Sequence, residues 1–376
     1  MSVMLGKTLN EITSTLSDLR AKVLFGSFGK EEIDAVASYL KQALELAYPE
    51  SEFFFGNSLG EFKAKASSPL KKHCCLLLDE PFEKKEFPSL VNLAYGNKDI
   101  TLIGFSSIDS SALDYDRLTT MAGRYDSYYV SPFSFLLPSK DKDFLSLLIE
   151  GGSFSKKEQG AFSLFQQTAF AQKARKEKEA EEMVSLFIGQ AGRKLSLRGL
   201  SSLSSSLAPN TVKRLLDECE ARFLIYRLGE IELKGMKESC NSFRLYPADP
   251  SVYGFSRREA AEKADLLCLS PLVGRLKEEG YSLRFGYIRE RVQTEGGARA
   301  LRDEEVGVYA KKGRRTMLFA LDVSGGGKGA KAIQKASPLF ERYLVLSGDS
   351  APRSDSRGVK RIGIESLLSD DFDWEE

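Results

Sequence analysis

Two adjacent carboxylates, Asp79 and Glu80, close a run of apolar residues, Cys74 to Leu78, that begins after His73. A short, continuously apolar run between polar flanks predicts a strand buried on both faces, which belongs to the parallel sheet of an α/β protein. Acids at the carboxyl end of that strand stand where open α/β sheets bind ligands. One carboxylate of such a pair can help hold Mg2+ while the other polarises a water. Runs of this spelling are common, and an ordinary buried strand fits these residues as well.

The upstream elements decide whether a phosphate could sit opposite. Ala21 to Phe25 predicts a first strand and Gly26, Ser27, Phe28, Gly29 and Lys30 a turn. Residues 31–46 then predict a helix, with Ile33, Val36, Ala37, Leu40 and Leu44 at helical spacing. Strand, glycine turn with lysine, and helix form the context of a phosphate-binding loop, because helix amides and a lysine bind phosphate oxygens. The spelling departs from that motif. Only Ser27 and Phe28 separate the glycines, where the motif has four residues, and Glu31 stands where a Ser or Thr would ligate Mg2+. A shortened loop offers fewer amides, and a carboxylate at the hydroxyl position repels phosphate. Nucleotide binding is therefore expected to be weak or absent. Gly6, Lys7 and Thr8 imitate the motif without a preceding strand.

Downstream, 86–95 predicts a helix and Ile100 to Phe105 another buried strand, ending in Ser106 and Ser107. A polar side chain at the end of the strand beside the acids is placed to sense a γ-phosphate; two serines there are also ordinary turn formers. Ala122, Gly123, Arg124 and Tyr125 follow, then a short strand at 128–130 and the run Ser131, Pro132, Phe133, Ser134, Phe135.

At 376 residues the chain is long for one core, and two or three domains are expected. Its 54 basic and 53 acidic side chains balance, so any nucleic-acid contact must be local. His73 is the single histidine, and Cys74, Cys75, Cys219, Cys240 and Cys268 form no CxxC pair, which excludes a zinc cage or a histidine-based triad. These cysteines read as buried, reduced thiols. Met1 to Arg20 alternates polar and apolar residues, and no stretch approaches the roughly 18 apolar residues of a membrane span. A cytoplasmic protein without membrane contact is expected.

The middle of the chain is helical by pattern. Residues 162–188 carry a charged, solvated face. Residues 196–203 and 211–221 predict the two helices of a helix-turn-helix, and 222–228 with 230–233, split by Gly229, the wing hairpin of a winged helix. Thr211, Lys213 and Arg214 would face DNA, backed by Arg193, Lys194 and Arg198, while Asp217, Glu218 and Glu220 on the same helix repel phosphates. Such a module also serves for packing, and that structural role is the reading these acids favour. Farther on, a helix at 266–279 and strands at 281–287, 305–310, 317–322 and 343–346 outline a small α/β sheet. Gly325 to Lys328 predict a loose loop, and 369–376 an acidic frayed tail.

The ordered set of degenerate phosphate loop, LLLDE strand, IGFSS strand, AGRY, YYVSPFSF, Gly151 and Gly152, helix-turn-helix and nuclease-like tail resembles the prokaryotic AAA-type P-loop ATPases that carry a winged helix and a C-terminal domain of unknown function with a restriction-endonuclease-like core. The similarity covers nearly the whole chain. It implies an α/β AAA-like parallel sheet over 1–150, a helical and winged-helix region over 151–240, and a nuclease-like domain over 241–376. By the same resemblance Lys30, with Gly26 and Gly29, would contact ATP phosphates, Asp79 and Glu80 would hold Mg2+ and activate water, Ser106 or Ser107 would be the sensor, and Arg124 would approach nucleotide or a neighbour. Only Asp79, Glu80 and Arg124 match cleanly, and Arg124 fits a surface ion pair or a helix cap equally well. A restriction-nuclease site needs a helix acid, a strand acid and a Glu-x-Lys. Here Ser270, Gly307 and Asp322-Val323-Ser324 stand at those places, leaving Glu305 and Asp322, which argues against nuclease activity. The expected protein is a degenerate ATPase acting as a conformational or scaffold protein, in copies of itself or with a protein partner; the alternative is a DNA-binding regulator using the winged helix.

Overall fold

The computed structural model describes residues 11–15, 18–26, 30–66, 72–109, 119–131, 143–150, 177–204, 207–293, 299–348, 350–369 and 372–374. Ser27, Phe28 and Gly29, the run from Pro132 to Phe135, and Gly151 and Gly152 lie outside them, as does Gly6 to Thr8. The chain divides into two compact units, Met1–Leu137 with Ala221–Phe223, and Pro138–Glu220 with Leu224–Glu376.

The first unit is an α/β layer built on a five-stranded, wholly parallel sheet. Its strands are β1 (Ala21–Phe25), β2 (Glu52–Phe55), β3 (Cys74–Asp79), β4 (Ile100–Ser106) and β5 (Tyr125–Tyr129), in the order β2-β3-β4-β1-β5. Alternate residues of the central strands enter two separate cores. Leu24, Leu77 and Phe105 pack beneath helix α1 (Lys30–Ala47) through Val36, Leu40 and Leu44. Val23, Leu76 and Leu102 pack on the other face against α2 (Leu59–Ala66) and α3 (Phe87–Tyr95) through Phe62, Leu90 and Val91. Burial on both faces explains why β1, β3 and β4 read as unbroken apolar runs. Lys22 is a charged exception: 1% exposed, it meets Asp126 of β5 at 2.9 Å.

In the second unit α4 (Phe144–Glu150) comes first, followed by α5 (Glu177–Gly189), α6 (Leu197–Ser202) and α7 (Pro209–Ala221). Ser196 caps α6 by accepting from the Gly199 amide. Val184, Phe187, Leu200, Val212 and Leu216 of α5, α6 and α7 share a core with Ile225, Phe243 and Leu245. The hairpin expected within 222–233 is instead one strand, β6 (Ile225–Glu232), which runs through Gly229 and pairs antiparallel with β7 (Lys237–Pro247). Gly229 breaks the apolar pattern without breaking the strand, because it sits at a register shift.

Nor is the tail a small sheet. Helices α8 (Arg257–Glu262) and α9 (Ala264–Glu278) lead into β8 (Ser282–Gln293), β9 (Arg299–Lys312), β10 (Arg315–Leu321), α10 (Lys328–Lys335), β11 (Glu341–Leu346), β12 (Arg353–Ser354), β13 (Val359–Gly363) and α11 (Ile364–Leu368). With β6 and β7 these strands make one eight-stranded mixed sheet, β12-β13-β11-β10-β9-β8-β6-β7. The loop at 325–328 leads into α10, with Gly327 at φ 71° and its amide bonded to Asp322 at 2.6 Å. Within the acidic end, the described residues 372–374 are pinned. Trp374 is buried against Phe319 and Phe372, and its carbonyl accepts from Tyr281 at 2.7 Å and from Arg315.

Cys74, Cys75, Cys219 and Cys268 are buried and in no disulfide among the described residues, and burial pushes the Cys75 thiol up to about 12. Among the described residues no helix is long and apolar enough to cross a membrane.

Candidate functional site

The carboxyl edge of the parallel sheet brings together the ends of β3, β4 and β1. β4 pairs with both of its neighbours, so Ser106 lies between the carboxylates of β3 and the turn after β1. The Gly26 amide donates to the Ser106 carbonyl at 3.0 Å, which closes that gap in the backbone. Lys30 opens α1.

Asp79 is exposed at the end of β3. Glu80 takes a left-handed conformation, φ 44° and ψ 61°, rare for a residue with a side chain. The turn aims its carboxylate at β4, where the Ser107 amide donates to Oε1 at 3.1 Å and to Oε2 at 3.3 Å. Burial raises the Glu80 pKa, and the Ser107 hydrogen bonds only partly oppose it. The fully buried Ser106 hydroxyl donates to the Ile108 carbonyl at 2.9 Å and accepts from the Ile108 amide, closing its own turn. Sequence reasoning missed that β4 must lack a side chain opposite Pro81, although a glycine inside an apolar strand marks close approach of another backbone.

Arg124 stands at the other edge. Its carbonyl accepts from the Ala21 amide, and Tyr125 pairs with Ala21 at the start of β1. The carboxyl edge begins four residues later at Phe25, about 13 Å along the strand. The guanidinium bonds Asn92 and lies over Tyr95, 5.8 Å from the ring centre. The sheet therefore brings Asp79, Glu80 and Ser106 together and sets Arg124 apart.

On α7, Lys213 and Arg214 are exposed and Thr211 is half-buried. Arg214 pairs with Glu218 at 3.8 Å. Arg227 of β6 pairs with Asp217 at 2.9 Å and Glu220 at 2.6 Å, so two of the acids on this helix are neutralised from the hairpin. A groove of about 780 Å3 runs between α6, α7 and the β6–β7 hairpin, lined among others by Arg198, Lys213, Asn241 and Arg284.

The three nuclease positions have other work. The Ser270 hydroxyl donates to the Pro247 carbonyl at 2.6 Å. A Cβ on Gly307 would lie 2.0 Å from the Phe319 carbonyl oxygen, so no side chain fits there. Asp322 holds the Gly327 amide, and Asp265 accepts from the Val323 and Ser324 amides and the Ser324 hydroxyl. Glu305 pairs with Arg244 at 2.7 Å.

No protein-family model matches the sequence, and no curated protein matches it. Among solved structures, the Orc1 protein of Aeropyrum pernix in complex with DNA is similar at 13% identity over 73% of this chain and 95% of that chain, with a TM-score of 0.26. PCH-2 of C. elegans is similar at 14% identity over 57% of this chain and 67% of that one, with a TM-score of 0.28. A RuvB mutant of Thermotoga maritima is similar at 15% identity over 69% of this chain and 73% of that one, with a TM-score of 0.24. These superpositions are weak, and the order and direction of the strands carry the fold.

Proposed function

We propose that the first unit is a degenerate AAA-like P-loop domain that keeps its carboxylate strand while nucleotide turnover is weakened or lost, so that the chain acts as a conformational or scaffold protein. The clamp of Glu80 by the Ser107 amide carries this reading. A glutamate that activates water needs an ionised, accessible carboxylate. In this chain a backbone amide engages both oxygens, and burial favours the protonated form. Asp79, exposed at the strand end, is the residue that would help hold Mg2+, and Lys30 with Gly26 and Gly29 would meet the phosphates of ATP. Copies of the chain or a protein partner would read the conformation.

Titration with a fluorescent ATP analogue and Mg2+ tests this. Weak or absent binding without turnover is the expected result. Micromolar binding with turnover that Glu80→Gln abolishes would overturn it.

A second reading, a DNA-binding regulator, is favoured by the Arg227 pairs that neutralise Asp217 and Glu220 behind Lys213. It takes α5, α6, α7 and the β6–β7 hairpin as a winged helix, with Leu195 bridging to Phe243 as its short first strand, and the following strands as a nuclease-like core without its acids. Thr211, Lys213 and Arg214 would face the duplex. If Lys213→Glu with Arg214→Glu leaves duplex retention unchanged, α7 is not the reader.

A further inference from the structure

Beyond Tyr287 the β8 and β9 strands leave the sheet and continue alone. β6 pairs with β8 only at 285–287 and β10 pairs with β9 only at 308–312, whereas β8 and β9 stay paired from Ile288↔Glu304 to Gln293↔Arg299. The result is a two-stranded ribbon. Directly opposed residues of an antiparallel pair share a face. One face therefore presents Arg289 with Asp303, Arg291 with Leu301, which is 64% exposed, and Gln293 with Arg299, and the other presents Glu290 with Arg302 and Val292 with Ala300.

Charge is segregated along the described part of this ribbon. Its acids near the root are held by cations of the same unit. Asp303 pairs with Arg289 at 2.7 Å and Lys194 at 3.3 Å, Glu305 with Arg244, Glu290 with Lys335 at 3.2 Å, and Glu304 also with Lys335. Arg291 and Arg299, farther out, and Arg302, level with Glu290, have no carboxylate partner among the described residues. An isolated hairpin is marginal in water, and these root pairs fix this one in place.

We propose that the β8–β9 ribbon is a duplex-DNA contact, in which Arg291 and Arg299 meet phosphates and Leu301 meets the groove. A two-stranded ribbon fits the major groove, about 12 Å wide, and an exposed leucine among arginines suits apolar contact with base edges or a partly opened step. The deep, narrow major groove of duplex RNA admits no such ribbon. The surface is separate from α7, and neither assignment depends on the other.

Fluorescence anisotropy of the full chain with duplex DNA across a salt series tests the proposal. Arg291→Gln with Arg299→Gln should weaken binding and lower the slope of log K against log salt by roughly 1.8, for two lost phosphate contacts. Leu301→Ala should weaken binding about tenfold with the slope unchanged. Duplex RNA of the same sequence should bind less tightly. Circular dichroism should show wild-type melting for each variant. A photo-crosslinking residue at position 301 gives an independent readout and should label the duplex. The proposal is overturned if the wild-type chain does not bind duplex DNA at low salt, or if the double arginine variant keeps the wild-type affinity and slope. Loss of all binding in Lys213→Glu with Arg214→Glu, with no crosslink from position 301, would assign the contact to α7 instead.

Discussion

Pro81 occupies the space that a side chain at position 104 would need: a Cβ built on Gly104 lies 2.7 Å from Pro81 Cγ and 3.2 Å from Pro81 Cβ. Pro81 follows the left-handed Glu80, so the close approach of this turn to β4 also sets the direction in which the Glu80 carboxylate reaches the Ser107 amide.

Gly104→Ala should therefore destabilise the first unit by about 1–3 kcal/mol, because a proline ring cannot swing aside as a flexible chain end would. Adding Pro81→Ala should return part of that loss. Thermal denaturation of the single and double variants measures both.

Glu80→Gln should stabilise the protein at neutral pH. Burial raises the folded pKa, so the folded state keeps its proton to higher pH than the unfolded state. The stability tied to this group is thus greatest at acid pH and falls as pH rises from the unfolded value, about 4.3, through the folded one. The gain in Tm should be present at pH 7 and absent below roughly pH 4. An equal gain at both would mean that the carboxylate carries no burial penalty.

Lys22 and Asp126 should respond unequally to substitution. Asp126→Ala leaves a buried ammonium without its nearest carboxylate and should cost about 3–5 kcal/mol, whereas Lys22→Met removes the charge and should cost less than about 1 kcal/mol. Burial alone would raise the Asp126 pKa, but hydrogen bonds from Lys22 and Arg20 outweigh it and hold the carboxyl below its ordinary value. The stability it contributes is present above the unfolded pKa, about 3.9, and is lost as pH falls through the folded one. Urea titrations of both variants at neutral and acid pH check the asymmetry and its sign.

Trp374→Ala should destabilise the second unit by about 3–5 kcal/mol, as for a large aromatic removed from a packed site. Unchanged denaturation would show that the end of the chain is not held against Phe319.

The first unit was legible where both strand faces are buried. Ala21–Phe25 has the expected bounds, and β3, β4 and α1 fall within a residue or so of expectation, because continuous apolar runs and a helical stripe leave little choice. β2 escaped notice as a four-residue strand at the sheet edge, and β5, with no fully buried residue, begins three residues before the expected 128. The distal halves of β8 and β9 are charged and solvated and carry no apolar alternation to announce them. At the site, the residue types of Asp79 and Glu80 were readable, but the Glu80–Ser107 contact depends on a left-handed backbone that glutamate has no intrinsic tendency to adopt. Separation of Arg124 from these acids depends on strand direction, which becomes explicit only through the Ala21–Tyr125 pairing.

The β6–β7 hairpin belongs to two neighbours at once. Ile225, Phe243 and Leu245 close the core beneath α5, α6 and α7, while Glu230, Ile231 and Glu232 pair with β8. The helical segment cannot then be excised or exchanged as a cassette together with its hairpin. Its removal would strip β8 of a backbone partner and turn an interior strand into an open edge, the kind of surface that recruits a strand from another chain and begins aggregation.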